Sequence, residues 1–395
     1  MNLTPTPLKD RVEGLDFLRG IALLGIFIAN MLHFHSPYAY MDPYSWFSAP
    51  GEQAAFHFID VFVEASFYPL FAMLFGYGIN MQYEKSLRNE TPFAPFMARR
   101  MSWLLVFGVL HALLIWFGDI LFTYALMGFL MIAVVRIPKK WLLSLALVLY
   151  IVPAGLLYGF LVIGRKINPN SLLDGFVDIQ KIELAISAYA HGSFAEIFLF
   201  RLQEWLMFGV TGLITSIFAI LPLMMFGAAL SKWKIVERMY EMKGRLAAVM
   251  IIFISFGVLL KNIPYVDGPK FENIYLVQST FGGAVLTIGY AALFLLLWQI
   301  PFLKVITKPF AAIGRMAFTT YILQSVIATL IFYSYGAGLY GKVDIITGTW
   351  LAIGIFFIQL IAAQIWLSKF RMGPLESIWR KLSYGKNFGI KEEKV

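Results

Sequence analysis

The stretch Leu15-Asp16-Phe17-Leu18-Arg19-Gly20-Ile21-Ala22-Leu23-Leu24-Gly25-Ile26-Phe27-Ile28-Ala29-Asn30-Met31-Leu32-His33 decides the reading of this 395-residue chain. As a helix rising about 1.5 Å per residue, it is long enough to cross most of a hydrocarbon core about 30 Å thick. At 100° per residue, Arg19, Asn30 and His33 fall within a stripe about 60° wide, with Asp16 just beside it. An arginine at the water boundary, an asparagine in mid-helix and a histidine one turn on therefore line one track across a membrane. Such groups are costly in hydrocarbon and mark a pathway or a site.

Outward from this helix the composition is of one kind. The chain is 59% hydrophobic and 14% charged, whereas soluble domains carry about 25% charged residues. The class is all-α, a polytopic integral membrane protein. About ten apolar runs are long enough to span, beginning near residues 15, 57, 101, 119, 141, 204, 246, 275, 311 and 347. They leave no room for a large soluble domain, so residues 1–386 read as a single transmembrane helical domain and 387–395 as a loose polar tail. Met1 to Pro7 lacks the basic region of a cleaved signal, so the first helix is expected to be retained. Absence of cysteine excludes disulfides, thiolate nucleophiles and iron–sulfur chemistry. No metal is predicted, because no His-x-x-x-His pair exists and His33-Phe34-His35 separates its imidazoles on a helix. P-loop and Gly-x-Ser-x-Gly patterns are also absent.

The net charge of +9 is a matter of topology. Of 32 Lys and Arg, only Arg165, Lys166, Lys181, Arg201, Lys261, Lys270 and Lys342 fall on the outer side of the alternating spans. That bias puts both termini in the cytoplasm. The partner it implies is a bilayer with anionic headgroups, and no nucleic acid. Ser36 to Phe56 has no Lys or Arg and is rich in the Pro, Tyr, Trp and Phe of a headgroup interface. Residues 165–203 form the longest outer segment. In it Leu172, Phe176, Ile179, Ile182, Ile186 and Tyr189 recur at helical spacing, which predicts an amphipathic helix flat on the outer surface, as a lid or a connector.

Further polar groups recur on the next helices. His57, Asp60, Glu64 and Tyr68 project within about 80° of one another if one helix carries them, suiting a base and its orienting carboxylate or a wetted helix end. Arg99 and Arg100 stand at the cytoplasmic mouth of the third helix, with His111 about 16 Å further in. Arg100 to His111 repeats the eleven-residue step of Arg19 to Asn30, and Asp119 lies where this helix turns back. Gly314-Arg315-Met316-Ala317 opens the ninth helix, followed by Tyr321, Gln324 and Ser325. His33 and His35 lie on nearly opposite faces, and His33 shares the Asn30 face. Arginines inside suit phosphates; histidines in the outer half suit removal of a proton from a hydroxyl or amine.

Several stretches together resemble the YeiB family of bacterial membrane proteins, a group built on domain of unknown function 418. They are Leu15 to Ala22, Asn30, Phe71 to Gly78 (FAMLFGYG), Gly118 to Leu121 (GDIL), Gly314 to Ser325 (GRMAFTTYILQS) and Gly373 to Gly385 (GPLESIWRKLSYG). The first two helices are also similar to membrane acyltransferases of the acyltransferase-three and heparan glucosaminide N-acetyltransferase types. That similarity implies acetyl transfer from cytoplasmic acetyl-CoA. The acyltransferase-three pattern has a His eleven residues after the Arg, where this chain has Asn30. The glucosaminide type has an Asn there and its catalytic His in the following outer loop, but Ser36 to Phe56 contains no His.

The expectation is a transmembrane acyltransferase moving an acyl group, with acetyl-CoA or another acyl-CoA as co-substrate, to an extracytoplasmic hydroxyl or amine. The acceptor could be a glycan, a lipid or a small molecule. Asp16, Arg19, Arg99, Arg100 and Arg315 are expected at the donor phosphates. Asn30 is expected to bond the thioester or orient the base, His33 to activate the acceptor or carry the acyl group transiently, and Asp60 to fix the tautomer of a nearby His, with His35, His57, Glu64, His111 and Asp119 as further catalytic candidates. The alternative is a transporter or flippase of an anionic or lipid-linked solute, since a polar track serves either. A homo-oligomer is left open.

Overall fold

The computed structural model describes residues 11–168 and 177–385, and every regular element among them is helical. The chain runs through α1 (Glu13–His35), α2 (Pro50–Phe62), α3 (Tyr68–Arg88), α4 (Phe93–Leu114), α5 (Leu121–Val134) and α6 (Lys139–Ile167). There follow α7 (Ile179–Ile186), α8 (Phe194–Glu204), α9 (Leu213–Lys232), α10 (Lys243–Lys261) and α11 (Gly283–Trp298). The last four are α12 (Lys304–Arg315), α13 (Ala317–Phe332), α14 (Ile345–Lys369) and α15 (Pro374–Tyr384).

Seven helical segments among the described residues are long and apolar enough to cross a membrane, and α12 with α13 makes an eighth if that pair is one bent span. Each of the ten apolar runs read from the sequence falls on helix. The count by length and apolarity is smaller for two reasons. α5 has 14 residues, about 21 Å of helix, short of a 30 Å core; α3 ends in the polar run Asn80 to Arg88.

α1 is the hub. Of its apolar window 67% is buried, against 11% for α6, whose Leu156, Phe160 and Ile163 stand exposed at the rim. α1 packs on α3, α11, α12, α13 and α14. A Cβ on Gly314 would lie 1.8 Å from the Asp16 carbonyl oxygen, and one on Gly20 2.0 Å from that of Phe310. Backbone contact of this kind needs glycine on both helices. It brings the start of the Gly314–Ser325 motif against Asp16 and Arg19. Immediately afterwards the chain bends 85° between α12 and α13. Met316 leaves the helical region there, and Glu376 of α15 supplies the lost helical partners, accepting from Phe318 N (2.7 Å), Thr319 N (3.1 Å) and the Thr319 hydroxyl (2.6 Å).

One local expectation is corrected. The single helix over His57 to Tyr68 is broken: α2 ends at Phe62, Ala65 has φ 54°, and α3 restarts with Pro69 in its first turn. Glu64 thus sits in a turn and no common stripe forms. Where it is described, the 165–203 segment is helical with one face turned to the protein, Ile182 and Ala185 buried and Ile179 and Leu184 exposed. α7 and α8 dock into the bundle, burying Ile182, Tyr189, Ile197, Arg201 and Glu204. Leu172 and Phe176, read as part of that helix, lie outside the described residues, as does the 387–395 tail.

Candidate active site

One face of α1 presents Asp16, Arg19, Leu23 and Ile26 to a cavity of about 780 Å³ and then Asn30 to a second of about 290 Å³. Steps of three and four residues keep these side chains on one face of the helix. The larger cavity opens at the basic end of the bundle and runs inward past Phe71 and Phe75 to Ile120, Tyr124 and Tyr321. The smaller lies beyond them. Ile26, Ile120 and Tyr321 line both, so three side chains form the partition between two end-to-end spaces.

The larger cavity is lined by eight Lys or Arg and four Asp or Glu. All four acids are engaged. Asp16 receives Arg11 and, at 2.9 Å, Arg19; the Tyr77 hydroxyl donates to Glu237; Asn80 donates to Glu84 at 2.9 Å; Glu376 caps α13. Among the described residues, Arg100, Arg315 and Arg380 have no carboxylate at ion-pair distance. The Arg100 guanidinium lies 3.7 Å over the Trp379 ring, and Arg315 donates one bond to the Arg371 carbonyl (2.8 Å) with its buried Nε unpartnered. Uncompensated guanidinia in a partly desolvated cavity recruit an anion, phosphate above all. Burial pushes the Glu376 carboxyl up from its ordinary value and the Arg380 guanidinium down, since desolvation disfavours either charged form.

At the far end sits the turn between α4 and α5. Asp119 Oδ2 accepts from Phe122 N (2.6 Å), and Oδ1 from His111 Nδ1 (2.8 Å), with both side chains essentially without solvent contact. A carboxylate only accepts, so Nδ1 carries a proton, and the neutral imidazole in this tautomer has its lone pair on Nε2. Nε2 has no partner among the described residues. Gly108 allows the approach, because a Cβ there would lie 2.4 Å from Phe122 N and 2.9 Å from Asp119 Oδ2. Tyr321 stands against the imidazole at 5.2 Å and receives the Ile120 N–H at 3.3 Å.

Of the residues singled out from the sequence, Asp16, Arg19, Arg100 and Arg315 thus gather around the larger cavity, Asn30, Tyr68 and Asp119 around the smaller and Tyr321 around both, with His111 bonded to Asp119 but lining neither. The rest lie elsewhere. His33 lines neither cavity and packs against Tyr38 (4.8 Å) and Trp116 (6.5 Å). His35 is buried beside Phe332 and Gly348. Arg99 is exposed and outside the cavity lining. His57 is exposed, with Nε2 3.1 Å from Asn262 Oδ1 and its ring on Tyr265. Asp60 accepts from Tyr44 (3.0 Å), Tyr265 (2.8 Å) and Gln278 (2.6 Å), and no histidine bonds to it among the described residues. Lys261, read as an outer-loop cation, is fully buried and donates to the Glu64 carbonyl at 2.9 Å.

Sequence reading missed Arg11, Arg380 and the capping Glu376. The signal was present for two of them: Glu376, Trp379 and Arg380 recur at helical spacing in the Gly373–Gly385 motif.

The family model described as "Protein of unknown function (DUF418)" matches residues 230–386. Relatives extend over nearly the whole chain. The uncharacterized protein YxaH of Bacillus subtilis is 31% identical over 97% of this chain and 96% of its own. The uncharacterized protein YeiB of Escherichia coli is 29% identical over 95% of this chain and 96% of its own. An uncharacterized 39.9 kDa protein of Bacillus acidopullulyticus is 26% identical over 98% of each chain.

Proposed function

The chain belongs to the DUF418 family that includes YeiB and YxaH, and from that premise we propose that it is a transmembrane acyltransferase using cytoplasmic acyl-CoA. In this reading about ten segments thread a bacterial plasma membrane, as the apolar runs of the sequence suggest, and both termini are cytoplasmic, as the distribution of Lys and Arg suggests. The acceptor is an extracytoplasmic hydroxyl or amine. The observation that carries the reading is the pair of end-to-end cavities, one with three uncompensated guanidinia at its mouth and the other meeting it at Tyr321 beside the His111–Asp119 pair.

At about 780 Å³ the larger cavity lies within the range of roughly 300–1,000 Å³ typical of ligand pockets. Arg100, Arg315 and Arg380 would hold donor phosphates, and the apolar passage past Phe71 and Phe75 would take the pantetheine arm toward Ile120. His111, with Asp119 fixing its tautomer, has the lone pair a general base needs. Asn30, one turn beyond Ile26, would donate its amide to the thioester carbonyl.

Purified protein incubated with acyl-labelled acetyl-CoA tests this directly. Saturable binding that weakens on Arg315→Ala, with label released to water or acceptor, supports the enzyme. A transporter would move its solute unchanged and leave the thioester intact, so an intact thioester together with solute flux in liposomes would replace this reading with transport.

A further inference from the structure

We propose that the 290 Å³ cavity is the acceptor subsite and that it selects a small, electrically neutral, polyhydroxylated molecule. This inference rests on the acyltransferase reading for its chemistry, but the cavity's composition is independent of it. No Lys, Arg or His lines this space, and its single acid, Asp119, already accepts from His111 and Phe122 N. An anionic acceptor would find no counter-charge, and a cationic one would have to compete with His111 for an occupied carboxylate. Burying either charge unpaired is costly.

What the walls offer instead are neutral donors and acceptors: Asn30, Tyr68, Thr123, Ser216 and Tyr321. Phe117 and Phe208 add ring faces whose centroids lie 6.1 Å apart. Hydroxyls and an amide set among aromatic faces match a molecule with hydroxyls on its edges and C–H on its faces. Size narrows the class further. The volume is that of roughly ten waters at about 30 Å³ each, which matches a glycerol or a single sugar ring.

The step closes chemically. An acceptor hydroxyl oxygen adds to the thioester carbonyl carbon, and the carbon–sulfur bond breaks. The hydroxyl proton ends on the departing thiolate, leaving an ester and free CoA thiol.

The test uses the full chain in nanodiscs with glycerol, glucose and N-acetylglucosamine as neutral probes, and glucose 6-phosphate and glucosamine as charged ones. Direct binding of each probe and thiol release from acetyl-CoA are read side by side. At least one neutral probe should bind saturably and raise thiol release tenfold or more over the acceptor-free rate, while the charged probes do neither. Ser216→Trp and, from another helix, Thr123→Phe should abolish both effects without altering acetyl-CoA binding. The second variant guards against misfolding of the first. A charged probe that matches or exceeds the neutral ones, or neutral binding that survives both blocking variants, overturns the proposal. Failure of acetyl-CoA to bind would remove the donor reading alone. Binding of the neutral probes, lost in the blocked variants, would then still identify the subsite, and no binding would overturn it.

Discussion

His111 Nδ1 and Asp119 Oδ1 stand 2.8 Å apart at the turn between α4 and α5, where the two cavities meet. Neither His111 nor His33 lines a cavity, but His111 is bonded to Asp119 of the smaller one, whereas His33 packs among aromatic rings. His111→Gln should lower acyl transfer by roughly 100- to 10,000-fold, the usual worth of a general base, with acetyl-CoA affinity unchanged. His33→Ala should leave transfer near wild type. Measuring turnover and binding for both variants decides between them, and the reverse pattern would move the base to α1.

Asp119→Asn separates tautomer control from architecture. The amide oxygen can still accept from Phe122 N, so the α5 cap is kept. The new amide N–H, however, faces Nδ1 as a donor and moves the imidazole proton to Nε2, and transfer should fall nearly as far as in His111→Gln. The expected signature is unchanged thermal stability with reduced turnover.

Arg100 and Arg315 should bind the donor without serving the chemistry. A hydrogen bond to a charged group contributes about 1.5–3 kcal/mol, so Arg100→Ala or Arg315→Ala should each weaken acetyl-CoA binding by roughly 10- to 150-fold, and less so at high salt. Arg99→Ala, on an exposed neighbour of Arg100, should bind as wild type. Titration by calorimetry reads all three.

Gly314→Ala tests the contact between α1 and α12. Its Cβ would overlap the Asp16 carbonyl oxygen at 1.8 Å, which forces the helices apart and moves Arg315 and Asp16 together. Folded yield and donor affinity should both drop. If the variant is as stable as wild type and binds acetyl-CoA normally, α1 and α12 are not packed this closely.

The buried Glu376 makes stability depend on pH. Its folded pKa is raised by burial, although its bonds to Thr319 and Phe318 pull the other way. The fold therefore favours the protonated acid. That contribution is complete below the ordinary carboxylate pKa of 4.5 and is lost as pH climbs through the raised folded value. The melting temperature should fall across that window, and Glu376→Gln, which keeps an oxygen acceptor for α13, should remove this part of the fall.

The sequence by itself determined that this is an all-helical chain with several segments long and apolar enough to span a membrane, because apolar length and a 100° period are local properties. It also put Asp16, Arg19 and Asn30 on one face for the same reason. Tertiary structure alone decided which polar groups share a space. Ala65 with φ 54° broke the expected stripe from His57 to Tyr68, and Asp60 found two tyrosines and a glutamine. His111 acquired Asp119 because Gly108 lets the turn close on α4. Arg380, more than 350 residues from Arg19 in sequence, reaches the same cavity because Glu376 holds α15 on the start of α13. Partners so distant along the chain are chosen by packing, and helical periodicity carries no record of that choice.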